Sequence, residues 1–254
     1  MKHLLLADDG CLADVAPLSL KYKIGIEVQS FYKPDYYERT PDALAIHKST
    51  IAPITVRGMH GPFCDLNPGS TDHLIVEVTK RRLSEGYRFA EALNIQHLIF
   101  HNNYVPGFSS IKKWLPRAIQ FWKDFLNEHS SNIDIHIENT LERTPSILID
   151  LIDAINNPQL TVNLDIGHTH CFTTYGTVNW IKDLGHRIKY VHLHDNNGQK
   201  DEHLGFTKGT IPIFEICEAL ETYAPSACWS VEADVDGMQI SIHWLIEHRF
   251  LKVE

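Results

Sequence analysis

Hydrophobic and polar positions form short bursts along this chain; eight of them are apolar runs, most rich in Ile, Val and Leu. They cover residues 2–9, 23–31, 54–60, 97–103, 133–140, 160–168, 188–195 and 227–234. Runs of this length and composition predict buried strands. Between most of them apolar residues return every three or four positions, the spacing of an amphipathic helix. The clearest case is 72–94, where Leu74, Ile75, Val78, Leu83, Phe89 and Leu93 are expected to form one buried face. Further helices are expected at 110–128, 144–156, 175–186, 211–223 and 237–250. Thr144 with Pro145, and Thr210 with Pro212, read as helix starts: a capping residue, then proline in the first turn. The segments 11–20 and 34–53 carry weaker patterns.

Strand then helix, repeated about eight times, requires parallel strands joined by crossover helices. The expected fold class is α/β, as a (β/α)8 barrel, with a doubly wound open sheet as the second choice. A chain of 254 residues suits such a barrel. No linker, internal repeat or charge block interrupts the pattern, so a single domain over 1–254 is expected.

The ends of the strand runs carry the chemistry. His60 ends the third, His101 the fourth and Glu138 the fifth. Asp165 and His168 end the sixth, in "TVNLDIGHTH". His192 and His194 end the seventh, with Asp201 and His203 in the loop that follows, and Glu232 ends the eighth. Parity gives these residues a common direction, because alternate strand residues face opposite sides. In "IDIHIEN", Ile133, Ile135 and Ile137 oppose Asp134, His136 and Glu138; Val191 and Leu193 oppose His192 and His194. In a barrel one face meets the helices and the other points inward. The polar set should therefore converge at the carboxyl ends of the strands, where barrel enzymes place their active sites.

Charge and composition narrow the chemistry. The chain has 32 acidic residues against 23 basic ones, a net charge of −9, which argues against a nucleic-acid partner. No run approaches the length of a membrane span, and the first ten residues lack a signal-peptide pattern, so a cytoplasmic protein is expected. Five cysteines without a C-x-x-C pair argue against a disulfide framework or a thiolate zinc site. Several carboxylates packed together repel one another unless some stay protonated or a divalent cation sits among them. Imidazole mixed with carboxylate suits zinc, manganese, iron or cobalt. Nine or ten candidate ligands exceed what one ion takes, which leaves either two or three ions or a division between metal and substrate.

At these residues the chain resembles the xylose-isomerase-like TIM-barrel superfamily, which includes sugar isomerases and epimerases and the endonuclease IV type of AP endonuclease. The resemblance runs from about residue 23 to 234, through "MHGPF", "LIFHNN", "IENT", "NLDIGHTH", "VHLHDNNGQKDEHLGFTKG" and "VEAD". It implies that Glu138, Asp165, His192 and Glu232 surround one central metal. It implies that His60 and His101 serve a second ion, sharing Glu138, and that His168, Asp201 and His203 hold a third. The implied cofactor is a divalent metal, zinc or manganese, as one to three ions. The chain departs from the endonucleases at Phe63, where they carry tyrosine, at His194, where they carry asparagine, and at the acidic Glu202. It also lacks the arginine that the ketose epimerases keep after the seventh strand.

Three functions follow from this reading. The first is a metal-dependent isomerase or epimerase of a small sugar, sugar phosphate or related polyol. In it Glu138 and Glu232 move the substrate's proton, and His168 holds or protonates an oxygen. Arg143, Lys200 and Lys208 are candidate anion contacts for such a substrate. The second is a zinc-dependent phosphoesterase of the AP endonuclease type, with nucleic acid as its partner. The third is a barrel that binds metal or ligand without turnover. The first is preferred on substrate scale and electrostatics.

Overall fold

A computed structural model describes residues 3–129 and 132–252. Lys2 of the first run and both ends of the expected 1–254 domain lie outside the described residues. Eight strands form a closed parallel barrel in sequence order. They are β1 (Leu4–Ala7), β2 (Gly25–Val28), β3 (Arg57–His60), β4 (His97–His101), β5 (Asp134–Glu138), β6 (Leu160–Asp165), β7 (Ile188–Leu193) and β8 (Cys228–Val231). Each strand falls inside one of the eight apolar runs.

The helices α1 (Leu12–Tyr22), α2 (Pro34–Arg39), α3 (Ala43–Ile51), α4 (His73–Leu93), α5 (Ile111–Glu128), α6 (Ser146–Ile155), α7 (Ile166–Phe172), α8 (Thr177–Leu184), α9 (Ile213–Tyr223) and α10 (Val235–Glu247) connect the strands. The outward strand residues Leu98, Phe100, Ile135, Ile137, Val162 and Val191 pack against helix residues such as Trp122, Phe125, Leu148 and Trp180, all buried. Burying one such side chain contributes about 1.5–3 kcal/mol. The tryptophans Trp114, Trp122 and Trp180 are part of this layer, and Trp244 packs partly buried against it.

Three local expectations need correction. On α4, Leu74, Ile75 and Val78 are exposed, and the buried face is Thr79, Leu83, Gly86, Tyr87, Ala90 and Leu93. A helix of 21 residues spans about 31 Å, whereas a five-residue strand spans about 17 Å, so its first turns overhang the sheet. Pro145 and Pro212 stand just before the first residues of α6 and α9, and no side chain caps either helix. Residues 166–172 are a helix, whereas the sixth strand run was expected to continue to 168.

Register brings the strand ends level. Glu138 pairs with His101 across β4 and β5, and His192 pairs with Asp165 across β6 and β7. Neighbouring strands lie about 4.8 Å apart. Each pair therefore presents two polar side chains side by side at the top of the barrel.

Candidate metal centre

The sequence places a carboxylate at the end of β6, and the fold uses it twice. Asp165 Oδ1 accepts the His168 N–H at 2.7 Å, which makes Asp165 the N-cap of α7. That first turn carries the His168 ring back over the barrel mouth. Asn139, just after β5, locks the two strand ends together. It accepts the Asp165 N–H at 2.8 Å, donates to the Asp165 carbonyl at 3.0 Å, and its own carbonyl lies 2.8 Å from His168 Nδ1. Gly167 leaves room for the neighbouring strand: a Cβ there would collide with the His194 ring at Cε1.

The loop after β7 is held by Asp195, whose carboxylate accepts the N–H groups of Asn196, Gly209 and Ile211. This brings Asp201 and His203 over the mouth. His203 takes a left-handed backbone (φ 50°), a conformation that costs a non-glycine residue energy and clusters at functional sites. Its Nε2 lies 2.8 Å from Asp201 Oδ2.

All nine residues expected from the sequence meet in this one region. Glu138 is the hub. Its Oε1 lies 3.3 Å from His168 Nδ1 and 3.5 Å from His101 Nε2; its Oε2 lies 3.4 Å from both His60 Nε2 and His192 Nδ1. His192 Nδ1 is also 3.3 Å from Glu232 Oε2 and 3.7 Å from Asp165 Oδ2. Four triads bring ligand atoms within 4.8 Å of one another: His60, His101 and Glu138; Glu138, Asp165 and His168; Asp165, His192 and Glu232; His194, Asp201 and His203. A buried set of imidazoles and carboxylates this dense fits a divalent cation of the zinc or manganese type. Two groupings differ from the expected ones. His168 joins Glu138 and Asp165, although its Nε2 stays 3.3 Å from Asp201. His194 takes its place beside Asp201 and His203.

Burial and pairing oppose each other here. Burial alone would push the Glu138 carboxyl up, but His101 and His192 beside it hold it well below the usual range. Burial lowers His101 itself to about 3, so the cations beside Glu138 are His192 and His168, both raised. Burial likewise opposes ionisation of Asp165, and the His168 and His194 imidazoles overcome it, leaving Asp165 well below its ordinary value. Burial favours neutral His168 and His192, yet Asp165 raises the first, and Glu27, Glu232 and Glu138 raise the second, both well above an ordinary histidine. His203 loses by burial and gains more from Asp201, reaching about 9.

These pairs set a pH profile for the metal-free protein. Carboxylates held below their unfolded values, roughly 4, stabilise the fold above that pH and lose the effect as pH falls through the folded values. Raised imidazoles stabilise below about pH 6.5 and lose the effect as pH rises through their folded values. Histidines held neutral by burial, His97, His101 and His136, lose their contribution below about pH 6.5. The chelated protein should therefore be most stable at roughly pH 6.5, and its thermal midpoint should fall by about 3 °C or more by pH 9. Zinc affinity should rise over the same interval, since a ligating imidazole must release its proton. A midpoint that holds steady from pH 6.5 to 9 in chelator would sink the ion-pair arrangement.

Above the hub lies a cavity of about 250 Å³, lined by His60, His101, Glu138, Asp165, His168 and Glu232, with Tyr32 and Phe63 as an aromatic wall. The Tyr32 and Phe63 rings stack at 5.0 Å, and Phe63 stacks on His101 at 4.1 Å. No lysine or arginine lines this cavity among the described residues. Arg143 and Lys200 lie outside it on the surface, and Lys208 lines only a neighbouring cleft that also holds Asp9, Glu202, Asp234 and Asp236. His170 turns away to Thr210 Oγ1, 3.0 Å from its Nε2.

Two residues at the end of β2 escaped the sequence reading. Glu27 is fully buried with both carboxylate oxygens 3.1 Å from His192 Nε2, and Gln29 Nε2 donates to Glu232 Oε1 at 2.6 Å. Their alternation with Ile26 and Val28 in "IEVQ" was the available signal.

A family model described as a xylose isomerase-like TIM barrel matches residues 25–248. An uncharacterised protein of Methanocaldococcus jannaschii is 27% identical over 200 residues, which is 68% of this chain and 63% of that protein. A second from the same organism is 28% identical over 160 residues, covering 60% and 61%. The chain thus spans about three fifths of the length of these curated relatives. Among solved structures, a D-tagatose 3-epimerase-like protein superposes with a TM-score of 0.80 at 22% identity, covering 98% of this chain and 97% of its own. A Thermus thermophilus protein soaked with zinc chloride follows at 0.77 and 20%, covering 97% and 96%. Other matches include a D-allulose 3-epimerase from a Methylomonas species in complex with D-allulose, and the IolI protein with a zinc atom. At these identities the structural likeness establishes the barrel. Among the described residues no helix is long and apolar enough to cross a membrane.

Proposed function

The chain belongs to the xylose isomerase-like TIM-barrel family, and from that membership we propose that it is a metal-dependent isomerase or epimerase of a small sugar or related polyol. The observation that carries this reading is that Glu138 and Glu232 both lie against His192 Nδ1, at 3.4 and 3.3 Å, and both line one small cavity. A volume of about 250 Å³ lies below the roughly 300–1,000 Å³ of drug-sized sites and suits a monosaccharide. The similar structures that are sugar 3-epimerases, and those that hold zinc, favour the same reaction class and cofactor.

Glu138, Asp165, His192 and Glu232 would hold the central ion. When bound, that ion supplies Lewis acidity to adjacent carbonyl and hydroxyl oxygens of the substrate. Glu232 would take the proton from the carbon beside the carbonyl and release it to water, and Glu138, which is ionised, would pass a proton from water to the other side of that carbon. His168, with Nδ1 on the Asn139 carbonyl and Nε2 on Asp201, lines the cavity beside the substrate oxygens and would reach one only by giving up its contact with Asp201. Tyr32 and Phe63 cover the apolar face of the ring and exclude water.

A second reading, the phosphoesterase of the AP endonuclease type, is favoured by the four adjacent triads, which have room for more than one ion. The cavity wall opposes it. Duplex DNA requires cationic contacts to phosphates, and here the approach carries the four acids Asp9, Glu202, Asp234 and Asp236 against Lys208 and His203.

The test is hydrogen exchange. Manganese- or zinc-loaded protein is incubated with free ketoses and polyol-derived ketones in deuterated water and followed by proton NMR. Loss of signal from the carbon beside the carbonyl, with appearance of the epimer or isomer, is the expected result. Absence of exchange across the panel, together with nicking of an abasic-site duplex, would move the assignment to the second reading.

A further inference from the structure

We propose that Glu27 is the positioning residue that presents His192 to the metal centre. Glu27 lies at the end of β2, below the cavity and outside all four ligand triads. Its side chain has no exposure to solvent. A buried carboxylate is costly unless paired, and an apolar residue would fill the same space at lower cost.

The partners explain the choice. Both oxygens of Glu27 lie 3.1 Å from His192 Nε2. An ionised carboxylate only accepts, so Nε2 carries the proton and Nδ1 is left facing Glu138, Asp165 and Glu232. A hydrogen bond from the second ring nitrogen to a carboxylate fixes tautomer and ring orientation in metal-ligating histidines and raises their basicity. Tyr190, two residues before His192 on the same face of β7, donates its hydroxyl to Glu27 Oε2 at 2.8 Å. Gln29 donates to Glu27 Oε1 at 3.3 Å and to Glu232 Oε1 at 2.6 Å. One buried layer thus braces the imidazole and the glutamate on which the centre depends.

The neighbouring strand makes space for this layer. Gly58 on β3 has no side chain where a Cβ would stand 2.6 Å from the Tyr190 hydroxyl and 3.3 Å from Glu27 Cγ. Any larger residue there would push Tyr190 off Glu27.

The test is a zinc titration, with Glu27→Gln as the probe. Glutamine keeps the shape and one acceptor oxygen but removes the charge. Zinc affinity measured by calorimetry should weaken about 10- to 100-fold. The absorption spectrum of the cobalt-substituted protein should change as well. In chelator, the thermal midpoint of the variant should stay within about 3 °C of the parent. Wild-type zinc affinity in Glu27→Gln overturns the proposal, and so does a lowered midpoint with unchanged affinity. Should Glu27→Gln not fold, Tyr190→Phe carries the same titration, because it removes the donor that orients Glu27. A weakening of about threefold or more is then expected for an outer hydrogen bond, and unchanged affinity overturns the proposal. The role assigned to Glu27 rests on the metal centre of the proposed function but not on its substrate. Absence of sugar turnover in the parent protein would sink that function and leave the zinc result standing.

Discussion

Glutamine in place of Glu138 is expected to empty the metal centre and to lower turnover by about a thousandfold or more, since a bound cation contributes several kcal/mol to the barrier. Glu138 is the one carboxylate within 3.5 Å of four histidines, His60, His101, His168 and His192. It also accepts from Asn163 Nδ2 at 2.9 Å. It belongs to two of the four triads, so its charge is shared by any two ions held there. Glutamine has the same shape, but one of its two ends is an NH2 group. Whichever way it turns, it aims donor hydrogens either at Asn163 and His192 or at His101 and His168. The replacement also removes one of the carboxylates, with Glu27 and Glu232, that balance His192. Elemental analysis of Glu138→Gln, purified in parallel with the parent, should find less than about a tenth of the parent's metal, as the loss of a shared ligand implies. Parental metal content would show that Glu138 is not a ligand.

The barrel was legible because most strands are bounded by polar positions and carry β-branched residues, signals that sit within one run; β1 (LLLA) and β3 (RGMH) lack the β-branched residues. The convergence of the strand ends was legible for the same reason: His60, His101, Glu138, Asp165 and Glu232 all stand at the last residue of a strand or one beyond it. What was not legible depends on distance and length. Glu27 looks like any polar residue alternating with Ile26 and Val28. Its meaning comes from Tyr190 and His192, more than 160 positions away. The helix α7 was hidden because its first residues continue the apolar run of β6, and only the Asp165 cap reveals the change of direction. The exposure of Leu74, Ile75 and Val78 follows from the length of α4 against the height of the barrel, which no periodicity contains. His194 was read as a departure from a motif. The missing side chain of Gly167, which lets its ring lean toward Asp165, lies in the first turn of α7, after the neighbouring strand.

Glu232→Gln should behave differently from Glu138→Gln, and the difference tests the two-carboxylate arrangement itself. Glu232 meets one triad only, with Asp165 and His192. Its Oε1 is already held by Gln29 at 2.6 Å, and an amide oxygen can keep that bond. Metal should therefore remain bound, with affinity lowered about tenfold, the lower end for a change next to a metal site. Interconversion of epimers should fall by about a hundred- to ten-thousandfold, the usual contribution of a positioned base. In the proposed mechanism the two carboxylates would flank the reacting carbon, so each would remove the proton of one epimer. In Glu232→Gln the epimer whose proton faces Glu138 should still exchange with deuterated water while the conversion stops. Exchange into one epimer without conversion, at retained metal content, is the expected pattern. Loss of exchange from both epimers with metal still bound would mean that a single base serves both faces. Unchanged conversion would remove Glu232 from the proton path altogether and leave it as a ligand.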